Sequence, residues 1–296
     1  MTHRLGHNNR HYIIVNADDF GSSASVNSAI LKAYRSGILT SASLLARGEA
    51  FDEAVDIARE CDGLSVGLHV TLCDGRPVLE PVQISGLVDR EGRFEANPAK
   101  AWMNCMRRGV LPQVEAEVSA QFDRLDAAGI RPTHVDGHHH LHMHPGLFEI
   151  LCRQASKRGV NWVRLPNEPL STMFTMRSLS RGVMPMIEWG VFGLLRGHNL
   201  KTARQYDMNA ACLSLGLAWT GNIDANSFGA LLEAARGRVS EIFVHPDEGT
   251  EPGLKELEAL TTVEMSEKLS SLGIELVGYR ELSGNGMALD SACGNI

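Results

Sequence analysis

The stretch HYIIVNADDFG, residues 11–21, joins a short apolar run to two adjacent aspartates. An apolar run of this length is typical of a buried strand, so it predicts a strand over His11–Val15 that leads to Asp18 and Asp19. Apolar residues at helical spacing follow, and Gly37 stands where a glycine often ends a helix. The chain therefore begins with a β-then-α unit.

The β-then-α order recurs downstream. Further strand-like segments lie at 41–46, 64–72, 133–136, 160–165, 241–244 and 274–277. Helical patterns separate them, which indicates one parallel sheet, either open or closed into a barrel. We predict an α/β fold of the TIM-barrel-like (β/α) type, which need not be a complete barrel. Enzymes of this kind place their active sites at the C-terminal ends of the strands, so polar residues at those ends are candidate site residues.

One barrel domain accounts for residues 12–282. We predict disordered tails at 1–11, which is polar, and at 283–296, which is rich in Gly, Ser and Asn. An insert at about 170–207 combines Met and aromatic residues with a surplus of Arg and Lys over acidic residues. Two hypotheses fit the insert: a lid that meets an anionic membrane or a lipid-linked substrate, and a helical hairpin packed on the barrel or in a dimer interface.

Composition and charge argue against several functional classes. The formal net charge is −7 and there is no long basic run, which argues against nucleic-acid binding. No stretch of 18 or more apolar residues is present, so no single helix is expected to span a membrane. The polar first eleven residues do not resemble a signal peptide. We predict a cytoplasmic protein whose membrane contact, if any, is peripheral and made by the insert.

Two strand ends near the start of the chain carry reactive side chains. Asp18 and Asp19 can have different roles in a hydrolase, because one carboxylate can bind a metal while the other acts as a base. Adjacent aspartates also suit a turn before a helix. His69 lies near the end of the run LSVGLHV, where a lone histidine is either a metal ligand or a core residue.

Two further strand ends carry histidines. Residues 134–144 hold six histidines directly after a strand, and neutral imidazoles bind zinc and similar ions. At least one ligand is expected there, although the density alone does not identify it. His245 follows the strand-like run EIFV and precedes Pro246, which favours an extended backbone at His245. His245 is either an active-site acid or a residue at the strand end without a functional role.

Taken together, these motifs lie at the C-terminal ends of different strands. Histidines without a shared function would not be expected to follow this pattern. An Asp–His–His set supplies three protein ligands for a catalytic metal and leaves a position for water. The sequence therefore predicts a metal-dependent hydrolase. Asp136 is a candidate partner that would orient a histidine ligand. For Arg164 and Glu168 we predict an ion pair on the surface rather than a place in the substrate cleft.

Several of these segments together resemble the YdjC-like carbohydrate deacetylase family. The matching segments are IIVNADDFG (13–21), GILTSASLL (37–45), GLHVTL (67–72), PTHVDGHHHLHMHP (132–145) and the strand-borne His245. They extend from the first strand to at least residue 246. The ending FVHPDEG (243–249), the chain length and the insert are most similar to the branch associated with hopanoid lipid biosynthesis.

The resemblance implies a role for each matching residue. Asp18 would be the general base and His245 the general acid, while Asp19, His69 and His138 would bind one divalent metal ion of the Mg or Zn type. It also implies a TIM-barrel-like fold and a homodimer. The implied reaction removes the N-acetyl group from an N-acetylglucosamine-type sugar. The substrate is either linked to a lipid, as in a glycosyl hopanoid, or a soluble chito-oligosaccharide.

Two other classes remain as alternatives. H-x-H patterns within residues 140–144 suggest the amidohydrolase barrel. That family places its H-x-H at the end of the first strand, where this chain has Asp18 and Asp19. The second alternative is a non-catalytic protein that binds a metal or a lipid, which would need neither Asp18 nor His245.

Overall fold

The computed structural model describes residues 11–107, 109–173, 184–221 and 223–284. Its strands are β1 (His11–Phe20), β2 (Ser41–Leu44), β3 (Ser65–Val70), β4 (Val135–Gly137), β5 (Leu213–Leu215), β6 (Ser240–Val244) and β7 (Ile274–Leu276). Its helices are α1 (Ala24–Ser36), α2 (Phe51–Glu60), α3 (Pro98–Cys105), α4 (Leu111–Ala127), α5 (Pro145–Lys157), α6 (Leu170–Met173), α7 (Met184–Gln205), α8 (Ala225–Ala234), α9 (Glu251–Thr261), α10 (Val263–Leu272) and α11 (Tyr279–Gly284), with a 3-10 segment at His138–Met143.

The strands form one parallel sheet in the order β4-β3-β2-β1-β6-β5, and β7 pairs with the first residues of β1. β1 lies at the centre, between β2 and β6, and its side chains Ile13, Val15 and Ala17 are fully buried. Burial of this strand on both faces explains its continuous apolar sequence, since helices cover parallel sheets on both sides. The predicted α/β fold with a parallel sheet is confirmed.

The two edges of the sheet are joined by residues 161–167. Val163 forms a parallel bridge with Val135 of β4, and Trp162 forms one with Asn209 just before β5. The supporting hydrogen bonds, from Val135 N to Trp162 O and from Val163 N to Asn209 O, are each 2.9 Å long. The sheet therefore curls on itself in a barrel-like way. The regular strand predicted at 160–165 is wrong, because only single bridges form there and Pro166 has no N–H to continue a ladder.

β1 is longer than predicted, because it runs through both aspartates to Phe20. Its pairing with β2 shifts between Ala17 and Phe20, where β1 has one residue more than its partner. Asp19 has a φ of 60°, which aspartate tolerates better than most residues. This bulge breaks the alternation of side chains along the strand. The carboxylates of Asp18 and Asp19 therefore reach neighbouring groups at the same end of the sheet.

Local sequence fixes the starts of the helices. Ser23 caps α1, Asn97 caps α3, Asp224 caps α8 and Thr250 caps α9, each accepting a hydrogen bond from a backbone N–H of the first turn. Pro145 stands in the first turn of α5, where its missing N–H costs nothing. The helix predicted from Pro145 is confirmed.

The insert contains α6 and α7, and its residues 174–183 lie outside the described part of the chain. α7 packs against α5, with Phe192 buried, whereas Ile187, Val191 and Leu194 are exposed. No helix among the described residues is both long and apolar enough to cross a bilayer. His11 begins β1 and α11 ends at Gly284, and the remainder of both predicted tails lies outside the described residues.

Candidate metal centre and the buried charge network beside it

Three candidate metal ligands converge from three strand ends. Asp19 comes from β1, His69 from β3, and His138 directly follows β4. Asp19 Oδ1 lies 2.9 Å from His138 Nδ1 and 3.4 Å from His69 Nε2. One ligand atom from each residue lies within 4.8 Å of the other two, which is close enough for all three to hold one ion. The structure thus brings together the three residues expected to bind a metal.

The chemistry of these residues fits a divalent cation. Asp19 Oδ1 is buried and has no partner in hydrogen-bond geometry, although His138 lies beside it. Burial acts to raise the pKa of Asp19, but His138, His69 and His245 together hold that pKa well below its usual range. The site therefore offers one anionic oxygen and two imidazoles, a donor set that suits zinc and leaves room for water. Asp74 and His139 form a second group with His138, but both are exposed.

His69 is oriented by Asp136. Its Nδ1 lies 2.7 Å from Asp136 Oδ1, which directs Nε2 toward Asp19. Such a carboxylate–histidine pair is the usual support of a metal-bound imidazole. Burial alone would lower the pKa of His69, but the charge and hydrogen bond of Asp136 raise it to about 9. A cation at Nε2 therefore competes with a proton. The contact suggested for Asp136 in the sequence is confirmed.

The other histidines that flank His138 have mainly structural contacts. His134 stacks on Tyr279 at 3.9 Å between ring centroids, and burial lowers its pKa to about 3. His142 Nε2 lies 3.1 Å from the carbonyl oxygen of Arg164. His144 Nδ1 accepts a hydrogen bond from Leu147 N in the first turn of α5. Three of the six histidines that predicted a ligand at 134–144 thus serve packing and capping.

Arg164 lies at the centre of a buried network that the sequence analysis missed. Its Nη1 and Nη2 donate to the two oxygens of Asp18, at 2.6 and 2.7 Å. Its Nη2 also lies 2.8 Å from Asp136 Oδ2, and its Nε donates to Glu241 Oε1 at 2.9 Å. One fully buried guanidinium therefore neutralises part of the charge of three buried carboxylates. The three carboxylates outweigh the burial and raise the pKa of Arg164.

The predicted surface pair of Arg164 and Glu168 is wrong. Both side chains are buried, and Glu168 accepts a hydrogen bond from Ala218 N at 3.2 Å instead of pairing with the arginine. A signal for this was present in the sequence. Arg164 stands in the apolar run NWVRLP, and a charged residue within a buried segment requires a buried partner of opposite charge. The partner could not be identified, because Asp18 is 146 residues away.

His245 lies at the end of β6, where it faces Asp18. Its Nε2 is 3.8 Å from Asp18 Oδ2, and its ring is partly exposed. Its backbone N–H donates to Glu256 Oε2 at 2.5 Å, and Gly221 N donates to Glu256 Oε1 at 2.7 Å. Glu256 is buried on α9. Its carboxylate therefore holds the backbones of Gly221 and His245, and both of these residues line one cavity. This cavity, of about 420 Å³, is lined by Asp18, Asp19 and His245.

One carboxylate and two imidazoles supply the three protein ligands that catalytic zinc sites use, and Asp18 and His245 lie nearby. The chain belongs to the YdjC-like protein family, whose model matches residues 12–271. A carbohydrate deacetylase of Geobacillus stearothermophilus is 29% identical over 281 residues, which cover 91% of this chain and 97% of that protein.

Other relatives match part of the chain more strongly. A carbohydrate deacetylase of Brevibacillus brevis is 42% identical over 154 residues, and a chitooligosaccharide deacetylase of Salmonella typhimurium is 41% identical over 151 residues. These alignments span 59% and 57% of the two relatives' own lengths. A solved structure from Enterococcus faecalis has a TM-score of 0.73 at 25% identity, covering 92% of this chain and 99% of that one.

Proposed function

We propose that this protein is a metal-dependent hydrolase that removes the N-acetyl group from an N-acetylglucosamine-type sugar. The observation that carries this proposal is the convergence of Asp19, His69 and His138, with Asp19 lining the same cavity as Asp18 and His245. The deacetylase from Geobacillus stearothermophilus, similar over almost its whole length, supports the reaction and the class of substrate. A protein that only binds a metal would not need the second aspartate and histidine.

The proposed ligands are Asp19, His69 and His138, and the ion is of the Mg or Zn type. When bound, such an ion polarises the acetamide carbonyl and lowers the pKa of a coordinated water. The chain contributes the orientation of the ligands. Asp136 holds the His69 ring, and the bulge in β1 presents the Asp19 carboxylate to both imidazoles. Ordered ligands of this kind need little rearrangement when the ion binds.

Asp18 is the proposed general base. The two Arg164 contacts and a 2.8 Å hydrogen bond from Asn16 Nδ2 fix its carboxylate plane. Asp18 lines the cavity beside the metal ligands, so it can take a proton from an attacking water. Arg164 does not reach the substrate in this proposal. It holds the carboxylate in place and compensates its charge.

His245 is the proposed general acid. Its Nε2 faces the same cavity, opposite Asp18, and its backbone is fixed by Glu256. An amine is a poor leaving group unless it is protonated, and a positioned histidine can supply that proton. Base and acid thus act from neighbouring strands, β1 and β6.

Metal dependence is the first expected result. Acetate release from an N-acetylglucosamine oligosaccharide should stop when the protein is treated with a chelator and return when Mg or Zn is restored. His69→Ala and His138→Ala should lose both bound metal and activity but stay folded, because the two residues lie at the C-terminal ends of β3 and β4, at the rim of the sheet. Metal content, acetate release and thermal unfolding together test this.

The matched control is His11→Ala, because His11 lies at the opposite end of β1 from the aspartates. This variant should keep its metal and its activity. Normal metal binding and a parental rate in either His69→Ala or His138→Ala would show that the ligands are misassigned. A parent protein that binds the metal but releases no acetate from any acetylated sugar would support the non-catalytic alternative.

The insert bears on the choice between a lipid-linked and a soluble substrate. Ile187, Val191 and Leu194 form an exposed apolar stripe along α7, where the side chains are three to four residues apart. We propose that this stripe belongs to a lid that contacts the lipid of a glycolipid such as a glycosyl hopanoid, with peripheral membrane contact. A soluble chito-oligosaccharide is the alternative substrate, and a homodimer interface is the alternative role of the stripe.

Replacing two residues of the stripe tests the lid. The Ile187→Gln/Leu194→Gln double variant should lose about tenfold in kcat/KM on a glycolipid and change little on a chito-oligosaccharide, because each side chain would bury apolar surface only against lipid. Val263→Gln, at an exposed valine on α10, is the control. Equal activity on both substrates, with no binding of the parent to anionic liposomes, would remove the lipid hypothesis. Conversion of a parental dimer to a monomer would assign the stripe to the interface.

A further inference from the structure

Ser43 lies on β2, between the proposed base and the carboxylate that orients a proposed metal ligand, and its side chain is fully buried. Its hydroxyl donates a hydrogen bond to Asp136 Oδ2 at 2.7 Å and accepts one from Asn16 Nδ2 at 2.9 Å. Asn16 Nδ2 also donates to Asp18 Oδ1 at 2.8 Å, and Asp136 Oδ1 lies 2.7 Å from His69 Nδ1. An unbroken row of four hydrogen bonds therefore connects Asp18 to His69.

The partners of Ser43 determine the direction of each hydrogen bond at its hydroxyl. A serine hydroxyl has one hydrogen to donate and can accept two hydrogen bonds. Asp136 pairs with Arg164 at 2.8 Å as a carboxylate, which only accepts, and Asn16 Nδ2 only donates. The single hydrogen of Ser43 is therefore directed at Asp136. Its two lone pairs are left for Asn16 and for one further donor.

The further donor is the ring of His134, whose Nε2 lies 3.1 Å from the Ser43 oxygen. Burial lowers the pKa of His134 to about 3, so the ring is neutral and carries one proton. Because the hydrogen of Ser43 is directed at Asp136, that proton must lie on Nε2. The ring reaches Ser43 because residue 67, its partner in the β2–β3 ladder, is glycine, and a β-carbon at Gly67 would overlap the ring. The hydrogen-bonding capacity of Ser43 is thus completely used.

Arg164 also contacts the carboxylates of both Asp18 and Asp136, but it shares its contacts. Its Nη2 lies 2.7 Å from Asp18, 2.8 Å from Asp136 and 2.8 Å from Glu241. One Nη2 has two hydrogens for these three acceptors, so the arginine compensates their charge more than it fixes their orientation. The hydroxyl of Ser43 has one hydrogen and one acceptor for it, which defines a single orientation of the Asp136 carboxylate.

We infer that Ser43 is a positioning residue that holds the proposed base Asp18 and the proposed ligand His69 in a fixed relation, although it contacts neither. This inference rests on the proposed deacetylation and adds a supporting residue to its site. A base acts only within hydrogen-bond reach of the proton that it removes, so a small displacement lowers the rate. A partner that orients a metal-binding histidine also contributes to the affinity for the metal. Ser43 therefore supports both functions at once.

Ser43→Ala tests the inference. At saturating zinc, kcat on an N-acetylglucosamine oligosaccharide should fall by about tenfold or more, while KM changes less than about twofold, because Ser43 does not touch the substrate. Zinc affinity, measured by competition with a chelator, should also fall by about tenfold. Loss of both properties distinguishes Ser43 from a residue that supports only one of them.

Asn16→Ala provides the comparison, since Asn16 lies only on the side of the row that leads to Asp18. It should lower kcat and leave zinc affinity at the parental value. The Ser43→Ala/Asn16→Ala double variant should be no slower than the slower of the two single variants, because both substitutions break the same row. Multiplied losses in kcat would mean that Ser43 does not act through Asn16, and would overturn the inference.

Ser41→Ala is the matched control. Ser41 is equally buried on β2, but its hydroxyl donates to Ser65 O at 3.0 Å, away from the carboxylates. This variant should keep the parental kcat and zinc affinity even where its unfolding temperature falls. Equal losses in Ser41→Ala, or parental values in Ser43→Ala, would overturn the inference.

Two readouts separate the role of Ser43 from the proposed reaction. Zinc affinity is measured without substrate, so a loss in Ser43→Ala but not in Ser41→Ala supports Ser43 even if no acetylated sugar releases acetate, an outcome that would refute only the reaction. Nitrogen NMR of the histidine rings needs no variant. The parent should have a neutral His134 with its proton on Nε2, and a proton on Nδ1 would overturn the inference.

Discussion

Asp18→Asn should lower acetate release by about a hundredfold or more while the bound metal stays in place, because general base catalysis contributes on this scale. The amide keeps the size of the side chain but cannot accept a proton from water at neutral pH. Asp19→Asn should instead weaken metal binding, since it removes the only anionic ligand of the proposed set. Metal content and kcat of the two purified variants separate base from ligand.

The comparison needs a check on folding, because Asp18 is one of the three carboxylates on Arg164. Both variants should therefore be assayed well below their own unfolding temperatures. Loss of metal from Asp18→Asn, together with normal metal content in Asp19→Asn, would reverse the two roles. Parental activity in Asp18→Asn would remove Asp18 from the mechanism.

Arg164→Met should destabilise the fold by about 3–5 kcal/mol, the cost of leaving buried charges without their partner. Methionine fills much of the space of the arginine stem but removes the guanidinium that contacts both Asp136 and Glu241. Arg153→Met is the matched control. Arg153 pairs with Glu115 at 2.9 Å on the surface, where an ion pair contributes less than about 1 kcal/mol. Denaturant unfolding of both variants gives the comparison.

The destabilisation by Arg164→Met should depend on pH. In the parent protein Arg164 holds the pKa of Asp136 well below its usual range, so the stability from this group is lost only as the pH falls through acidic values. Without the guanidinium, the pKa of Glu241 in the folded state rises further because burial is no longer opposed by Arg164, and the pKa of Asp136 is depressed less because His69 remains the main group that opposes burial there. The folded variant then binds more protons than the unfolded chain, so its stability falls as the pH rises. The stability difference from the parent should be larger at pH 8 than at pH 5, and an equal difference would count against buried carboxylates as its cause.

The parts of the fold predicted from sequence are those with strong local signals. β6 and β3 are short runs of mostly apolar residues, and α5 and α10 show helical spacing with clear boundaries. The closing segment at 161–167 could not be predicted in detail, because its single bridges depend on residues from β4 and from the region before β5. The bulge in β1 was also missed, since nothing in the local pattern shows that a strand continues through two aspartates.

The candidate ligands could be predicted because strand ends and residue types are both visible in the sequence. The groups that position these ligands could not be predicted from the sequence. Arg164 meets Asp18 across 146 residues and Glu241 across 77, and Glu256 meets the backbone of His245, which leaves no mark on side-chain patterns. Such contacts depend on the completed sheet. Sequence patterns therefore predicted the candidate ligands, base and acid, and the structure shows the groups that position these side chains.

The Arg164 network also has a consequence for how the sheet assembles. Its carboxylates come from β1, β4 and β6, and its arginine from the segment that joins the sheet edges. A strand that pairs one residue out of register turns its side chains to the opposite face, so a slip of β6 would take Glu241 away from the guanidinium. A slip of β1, β4 or β6 would thus bury unmatched charge, while the observed alignment satisfies all four groups. The contacts that orient Asp18 should therefore also disfavour near-native pairings of these three strands that apolar packing alone would tolerate.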